Sequence, residues 1–178
     1  GGAERVVETM HDMYPSAPIY TSVYDPESTF RSFKDMTVHT SSLQFWPLST
    51  KKYHKLALPL YPSAFERFDL RGYDLVLSSC SSFSKGIITP IETCHVCYCH
   101  TPTRFLWRAN EYESQTTRPK LFNTLMEPLF RRMRSWDIES ARRVDYFIAN
   151  SCKVARRIRK YYRREVVAVV YPPVEVQK

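Results

Sequence analysis

Four short runs of strand-forming residues, each closed by a polar or proline break, constrain this chain more than any other feature. They are Tyr73 to Ser78 (YDLVLS), Thr93 to Cys99, Asp145 to Ala149 (DYFIA) and Val166 to Tyr171. Helical spacing fills the gaps between them. Arg118 to Val144 is the longest such stretch. Its residues Phe122, Met126, Leu129, Met133, Trp136 and Val144 fall at steps of three and four or their multiples, which makes one apolar stripe. Arg131, Arg132, Arg134, Arg142 and Arg143 lie off that stripe, and Pro128 predicts a kink in the helix. Ser151 stands where an N-cap belongs, ahead of a helix running to about Tyr162. Upstream, Glu4 to Met13 has helical spacing and Pro15 stops it. Pro18 to Tyr24 and Thr37 to Thr40 read as strands, and Lys51 to Phe68, broken by Pro59 and Pro62, reads as interrupted helices.

Strands that alternate with helices predict an α/β fold, a parallel sheet covered by helices on both faces. In such sheets ligands sit beyond the carboxyl ends of the strands. That rule selects Ser78 to Lys85, His100 to Arg104, and Asn150-Ser151, segments remote in sequence that the fold would gather on one rim.

A chain of 178 residues suits one such domain and is too short for two with a cleft between them. An apolar fraction of 43% with 25% charged residues excludes a disordered chain. No stretch approaches the roughly 20 apolar residues of a membrane-spanning helix, and no signal peptide opens the sequence. The net charge of +8 is concentrated: residues 118 to 165 hold 14 Lys and Arg against 5 Asp and Glu. Such a segment attracts phosphates, acidic lipid head groups or nucleic acid, or forms the solvated faces of helices.

Five cysteines, an odd number, argue against a complete disulfide framework and for a reduced, cytoplasmic compartment. The run from Cys94 to His100 (CHVCYCH) invites a zinc reading. In a strand, however, alternate side chains point to opposite faces. Cys94, Val96, Tyr98 and His100 would share one face and Cys97 and Cys99 the other, so four ligands could not converge. Buried thiols on a central strand are the expectation. Arg156 to Arg164 has the charge of a nucleic-acid binder, but no recognisable nucleic-acid module surrounds it, and no nucleic-acid partner is expected.

Five ordered motifs carry a family resemblance across nearly the whole chain. They are Gly1-Gly2-Ala3-Glu4-Arg5-Val6; Tyr73 to Ser79 with Phe83-Ser84-Lys85-Gly86; His95 to Pro102; Arg143 to Ser151; and Val154 to Ile158. The set resembles retaining glycosyltransferases of family four, in their bacterial mannosyltransferase-like branch. The resemblance implies a GT-B enzyme built of two Rossmann-like domains, of which residues 1–171 match the amino-terminal, acceptor-side one and 172–178 the start of the interdomain linker. The basic pair and acidic motif with which the family's carboxyl-terminal domain grips the donor find no match here. A first strand running into Gly1-Gly2 at the centre of the sheet is also missing, which predicts a gap flanked by unpaired strand edges. The sequence is therefore expected to omit residues at both ends or to be a dissected domain, with little turnover by itself.

The same resemblance implies transfer of a hexosyl group, mannosyl for choice, from a nucleotide sugar such as GDP-mannose to a glycan or lipid-linked acceptor. It implies no metal and no other cofactor. His100 would contact the transferred sugar near its anomeric centre; the alternative is a histidine that holds the Thr101-Pro102 turn. Gly1 and Gly2 would let backbone N–H groups at a helix start approach a diphosphate, or simply make a tight turn. Arg104 would pair with an anionic acceptor or the diphosphate, or lie idle on the surface. Lys85 is a candidate for acceptor phosphate or sugar hydroxyls. Ser151 is an N-cap whose helix start faces the cleft. Glu111, Glu113 and Asp137 offer carboxylates, but their spacing argues no hydrolase pair. Such transferases use no protein nucleophile, and departure of the nucleoside diphosphate is helped by charge stabilisation. The basic helices would face an anionic membrane on its cytoplasmic side. The competing reading is a stand-alone, non-catalytic domain that binds an anionic acceptor or a partner subunit carrying the nucleotide half.

Overall fold

The computed structural model describes residues 2–46, 57–107 and 120–173. Gly1, residues 51–56 of the interrupted helical stretch, Glu111, Glu113, residues 118–119 of the expected long helix and residues 174–178 of the expected linker lie outside them. Among the described residues there are six strands, β1 (Ile19–Thr21), β2 (Val38–Thr40), β3 (Leu75–Cys80), β4 (Cys94–Cys99), β5 (Tyr146–Ala149) and β6 (Ala168–Val169). The helices are α1 (Gly2–Met13), α2 (Tyr61–Glu66), α3 (Arg104–Trp107), α4 (Lys120–Arg142) and α5 (Cys152–Tyr162). Every pairing is parallel, as the alternation of elements predicts.

The pairings form two sheets, β1-β2 and β3-β4-β5-β6. The inner edges of β1 and β3 line one groove of about 620 Å³ together with α1, through residues such as Val7, Ile19, Tyr20, Leu75 and Leu77. The predicted gap is thus present. Tyr20 bridges the two sheets, its hydroxyl 3.0 Å from that of Tyr73 and its ring edge-on to Phe68. Burial first, and then the hydrogen bond with the Tyr73 hydroxyl, push the Tyr20 phenol up to about 12.

The long helix α4 follows the apolar stripe. Met133 and Val144, the latter just beyond its end, are buried at the expected steps, and Ala141 is buried with them. The helix runs through Pro128 without ending. With α5 it covers one face of the larger sheet, where Cys80, Cys97, Cys99 and Phe147 meet Val154, Ile158 and Tyr162. A second core joins Phe65, Leu70, Phe83, Ile87 and Leu106 to Met133. Gly86 is needed there: a Cβ at that position would fall inside the indole of Trp136.

Several boundaries differ from the sequence reading. Ser79 and Cys80, expected in a polar loop, extend β3, because Cys80 is buried in the core between the sheet and its helices. The last strand shrinks to Ala168–Val169, since only β5 lies beside it to supply hydrogen bonds. Arg163 closes α5 in the left-handed conformation at φ 55°, a cap position that glycine usually fills. Arg164, next in the chain, turns its guanidinium onto the end of α4. It donates to the carbonyls of Arg142 and Val144 at 2.9 and 2.5 Å, satisfying groups that a helix end leaves open.

Candidate functional site

The carboxyl ends of β3, β4 and β5 lie side by side, and the backbone ladder continues past them. His100 N–H donates to the Cys80 carbonyl at 2.8 Å, and Asn150 N–H donates to that of Cys99 at 3.3 Å. His100 and the Asn150-Ser151 step therefore sit next to each other on one rim. Alternation along β4 settles the faces. His95, Cys97 and Cys99 are buried, whereas on the other face Cys94, Val96 and His100 are only partly so and Tyr98 alone is buried. The thiols of Cys97 and Cys99 join Cys80 in the core as expected, and all five cysteines are free. Among the described residues no group of three or more His, Cys, Asp or Glu side chains is placed to hold a metal.

His100 is half-buried on the rim. Its Nε2 lies 2.8 Å from Ser79 Oγ, and the edge of Tyr98 meets its ring at 5.1 Å. Tyr98 is itself fixed, its hydroxyl donating to the Val170 carbonyl at 2.8 Å. Burial lowers the His100 pKa below its usual value, so the ring is neutral near pH 7. Ser151 caps α5: its Oγ accepts from Val154 N–H at 3.3 Å and donates to Asn150 Oδ1 at 3.1 Å. Arg104 opens α3, exposed, four residues beyond His100. Gly2 begins α1, and the next residues, Ala3 and Glu4, line the same groove as Ser78 and Ser79. Of the residues singled out from sequence, His100 and Ser151 thus stand at the carboxyl ends of the strands and Arg104 follows four residues after His100, whereas Gly2 begins a helix that runs along the groove and Gly1 lies outside the described residues.

Lys85 does not join them. Its side chain is 1% exposed and pairs with Asp137 deep in the core, with Nζ also donating to the Ser82 carbonyl at 2.9 Å. Its ammonium further sits over the rings of Tyr162 and Trp136, at 5.2 and 5.5 Å. Burial works to lower the Lys85 pKa, but the charge of Asp137 prevails and holds it up. An ammonium so enclosed is unavailable to a ligand, and the expectation for Lys85 is corrected. Asp137 is equally committed. It accepts from Thr103 Oγ1 at 2.8 Å, Trp107 Nε1 at 2.6 Å and Tyr162 Oη at 2.9 Å as well as from Lys85. That network ties α3, α4, α5 and the loop after β3 together directly beneath the rim.

Sequence reasoning missed this pairing, although a signal existed. Asp137 stands four residues after Met133 and seven before Val144, a carboxylate on the apolar stripe of α4. A charge there needs a buried partner. Ser79 lies in the rim segment Ser78 to Lys85 that the strand-end rule selects, but no local pattern announces its contact with His100. A second Ser–His contact lies one step away: Ser78 Oγ is 2.8 Å from His95 Nε2. His95 is fully buried, and its Nδ1 is without a partner. Burial first, then the charge of Arg143, lower its pKa to about 4 against the pull of Asp145.

A family model described as Glycosyltransferase Family 4 matches residues 1–178. No curated protein and no solved structure matches the chain.

Proposed function

This chain belongs to glycosyltransferase family 4, and from that premise we propose that it is the acceptor-side domain of a retaining, nucleotide-sugar-dependent transferase. The transferred group is a hexosyl, mannosyl for choice from a GDP-linked donor, and the acceptor is a glycan or a lipid-linked glycan. The observation that carries this reading is the adjacency of His100 and Asn150-Ser151 at the ends of β4 and β5, with Ser79 at the end of β3 in contact with His100. A neutral imidazole there is a hydrogen-bonding group for the sugar near its reacting carbon. The exposed Arg104 offers a bidentate partner for the diphosphate or an anionic acceptor. Backbone N–H groups at the start of α1 favour the same diphosphate. The departing nucleoside diphosphate is stabilised by such charges, and no protein nucleophile or metal takes part.

A donor screen on the full-length protein with product detection tests the reading. The expected result is transfer from one nucleotide sugar, reduced roughly a hundredfold or more by His100→Ala, the scale of losing a well-placed transition-state donor. Transfer unaffected by His100→Ala, or by none of the common nucleotide sugars, would overturn it.

Lipid-linked acceptors place the enzyme at a membrane surface. No helix among the described residues is long and apolar enough to cross one. The exposed residues Lys153, Arg156 and Lys160 follow helical spacing along one side of α5, with no carboxylate paired to them among the described residues. That side suits peripheral binding to anionic lipid on the cytoplasmic face. Co-sedimentation with vesicles containing phosphatidylglycerol should exceed that with neutral vesicles at low salt, and equal recovery from both would refute it.

A further inference from the structure

The geometry points to Ser79 as a positioning residue for His100, holding the imidazole as the tautomer protonated on Nδ1. The argument rests on hydrogen-bond accounting. Ser79 Oγ lies 2.8 Å from His100 Nε2, and no other side-chain or backbone partner for that hydroxyl is found among the described residues. A serine hydroxyl has one proton to give. With no other protein acceptor at hand among the described residues, that proton is assigned to Nε2, which is then the unprotonated nitrogen. A neutral imidazole carries its single proton on the other nitrogen, so Nδ1 becomes the donor. Burial keeps the ring in the neutral form that this assignment requires.

The neighbouring pair shows why Ser79 is the special one. Ser78 Oγ also touches a histidine, at 2.8 Å, but it has a second partner in Cys97. Its proton can therefore go to sulfur, and His95 is not forced into either tautomer. His95 is moreover sealed in the core, whereas His100 stands half-buried on the rim. Nor is the Ser79 backbone free to drift: its carbonyl accepts from Ser84 Oγ at 2.9 Å, and its residue pairs with Tyr98 in the β3–β4 ladder.

The consequence deepens the proposed function and rests on its placing of His100 against the substrate. A Nδ1–H on this rim residue is a hydrogen-bond donor. It matches an acceptor oxygen, such as a hydroxyl or a glycosidic or phosphate oxygen, and it is unsuited to removing a proton from the acceptor hydroxyl. Ser79 thus selects which chemistry His100 performs.

Two-bond 1H–15N correlation spectra of the uniformly 15N-labelled protein near pH 7.5 read the tautomer directly. In the wild type, His100 should show a protonated Nδ1 and an unprotonated Nε2. Ser79→Ala should shift the tautomer ratio toward Nε2–H by about fivefold, the scale of one ordinary hydrogen bond. Ser79→Thr, which keeps the hydroxyl, should restore the wild-type ratio. Unchanged His95 signals in Ser79→Ala would show that the sheet is intact. A wild-type His100 protonated mainly on Nε2 would overturn the assignment even if Ser79→Ala fails to fold, and so would a ratio that Ser79→Ala leaves unchanged. These spectra need no turnover. Absence of transferase activity would therefore defeat the proposed function while leaving the tautomer result standing. Where transfer is measurable, Ser79→Ala should lower kcat several-fold with KM nearly unchanged.

Discussion

At the scale of single residues, the buried charges of this molecule are unequal partners. Asp137 receives four donors, from Lys85, Thr103, Trp107 and Tyr162, whereas the Lys85 ammonium has the carboxylate, one carbonyl and two ring faces. Removing one partner of a buried pair typically costs about 3–5 kcal/mol, because the other charge is stranded. Asp137→Asn should cost about that much in urea-induced unfolding. Lys85→Met should cost less, since three donors still satisfy the carboxylate, and a reversal of that order would refute the accounting. His95 sets a pH dependence. Its folded pKa of about 4 lies below the ordinary 6.5, so the unfolded chain takes up a proton that the folded one refuses. Stability from this residue is complete above pH 6.5 and is lost as pH falls toward 4, by roughly 3 kcal/mol in total. His95→Gln should flatten the unfolding free energy measured between pH 7 and 4.5; an equally steep profile in that variant would assign the loss elsewhere.

At the scale of elements, helix ends are where local chemistry decides. Ser151 was legible as a cap because a serine stood between a strand pattern and a helical one, and its Oγ indeed accepts from Val154 N–H. The other end of α5 was not legible. Arg163 adopts φ 55° without being glycine, and nothing in its residue type announces that. The chain turns there so that Arg164 can reach the carbonyls ending α4. A non-glycine residue in this region costs about 1 kcal/mol. Arg163→Gly should therefore raise the thermal midpoint or leave it unchanged, and a clear fall would show that the Arg163 side chain holds something the backbone argument omits. Strand ends behave likewise. Ser79-Cys80 looked like loop because serine and cysteine are small and polar, yet Cys80 pairs with Cys99 across the β3–β4 ladder. Tertiary burial overrode composition.

At the scale of the whole molecule, the two sheets differ in what supports them. The β3–β6 sheet is packed under α4 and α5 by residues at or near complete burial, whereas β1 and β2 are three-residue strands with only partly buried or exposed side chains. A short two-stranded ladder is marginal by itself. Native-state hydrogen exchange should therefore find the amides of Ile19–Thr21 and Val38–Thr40 at least about tenfold less protected than those of Cys97–Cys99. Comparable protection would mean that the small sheet unfolds only with the large one.

Local pattern sufficed for the order of elements, the parallel α/β class, the apolar stripe of α4 and the placing of His100 and Ser151 after strands, because each depends on residues close in sequence. Three matters belonged to tertiary structure alone. Lys85 turned inward because a carboxylate 52 positions away was waiting for it. Ser79 met His100 because parallel register brought the ends of β3 and β4 together. The β1 and β3 edges faced each other across a groove because each found its hydrogen-bond partners on its other side. Periodicity records which way a side chain faces relative to its own element; what it meets there depends on long-range packing that no local window contains.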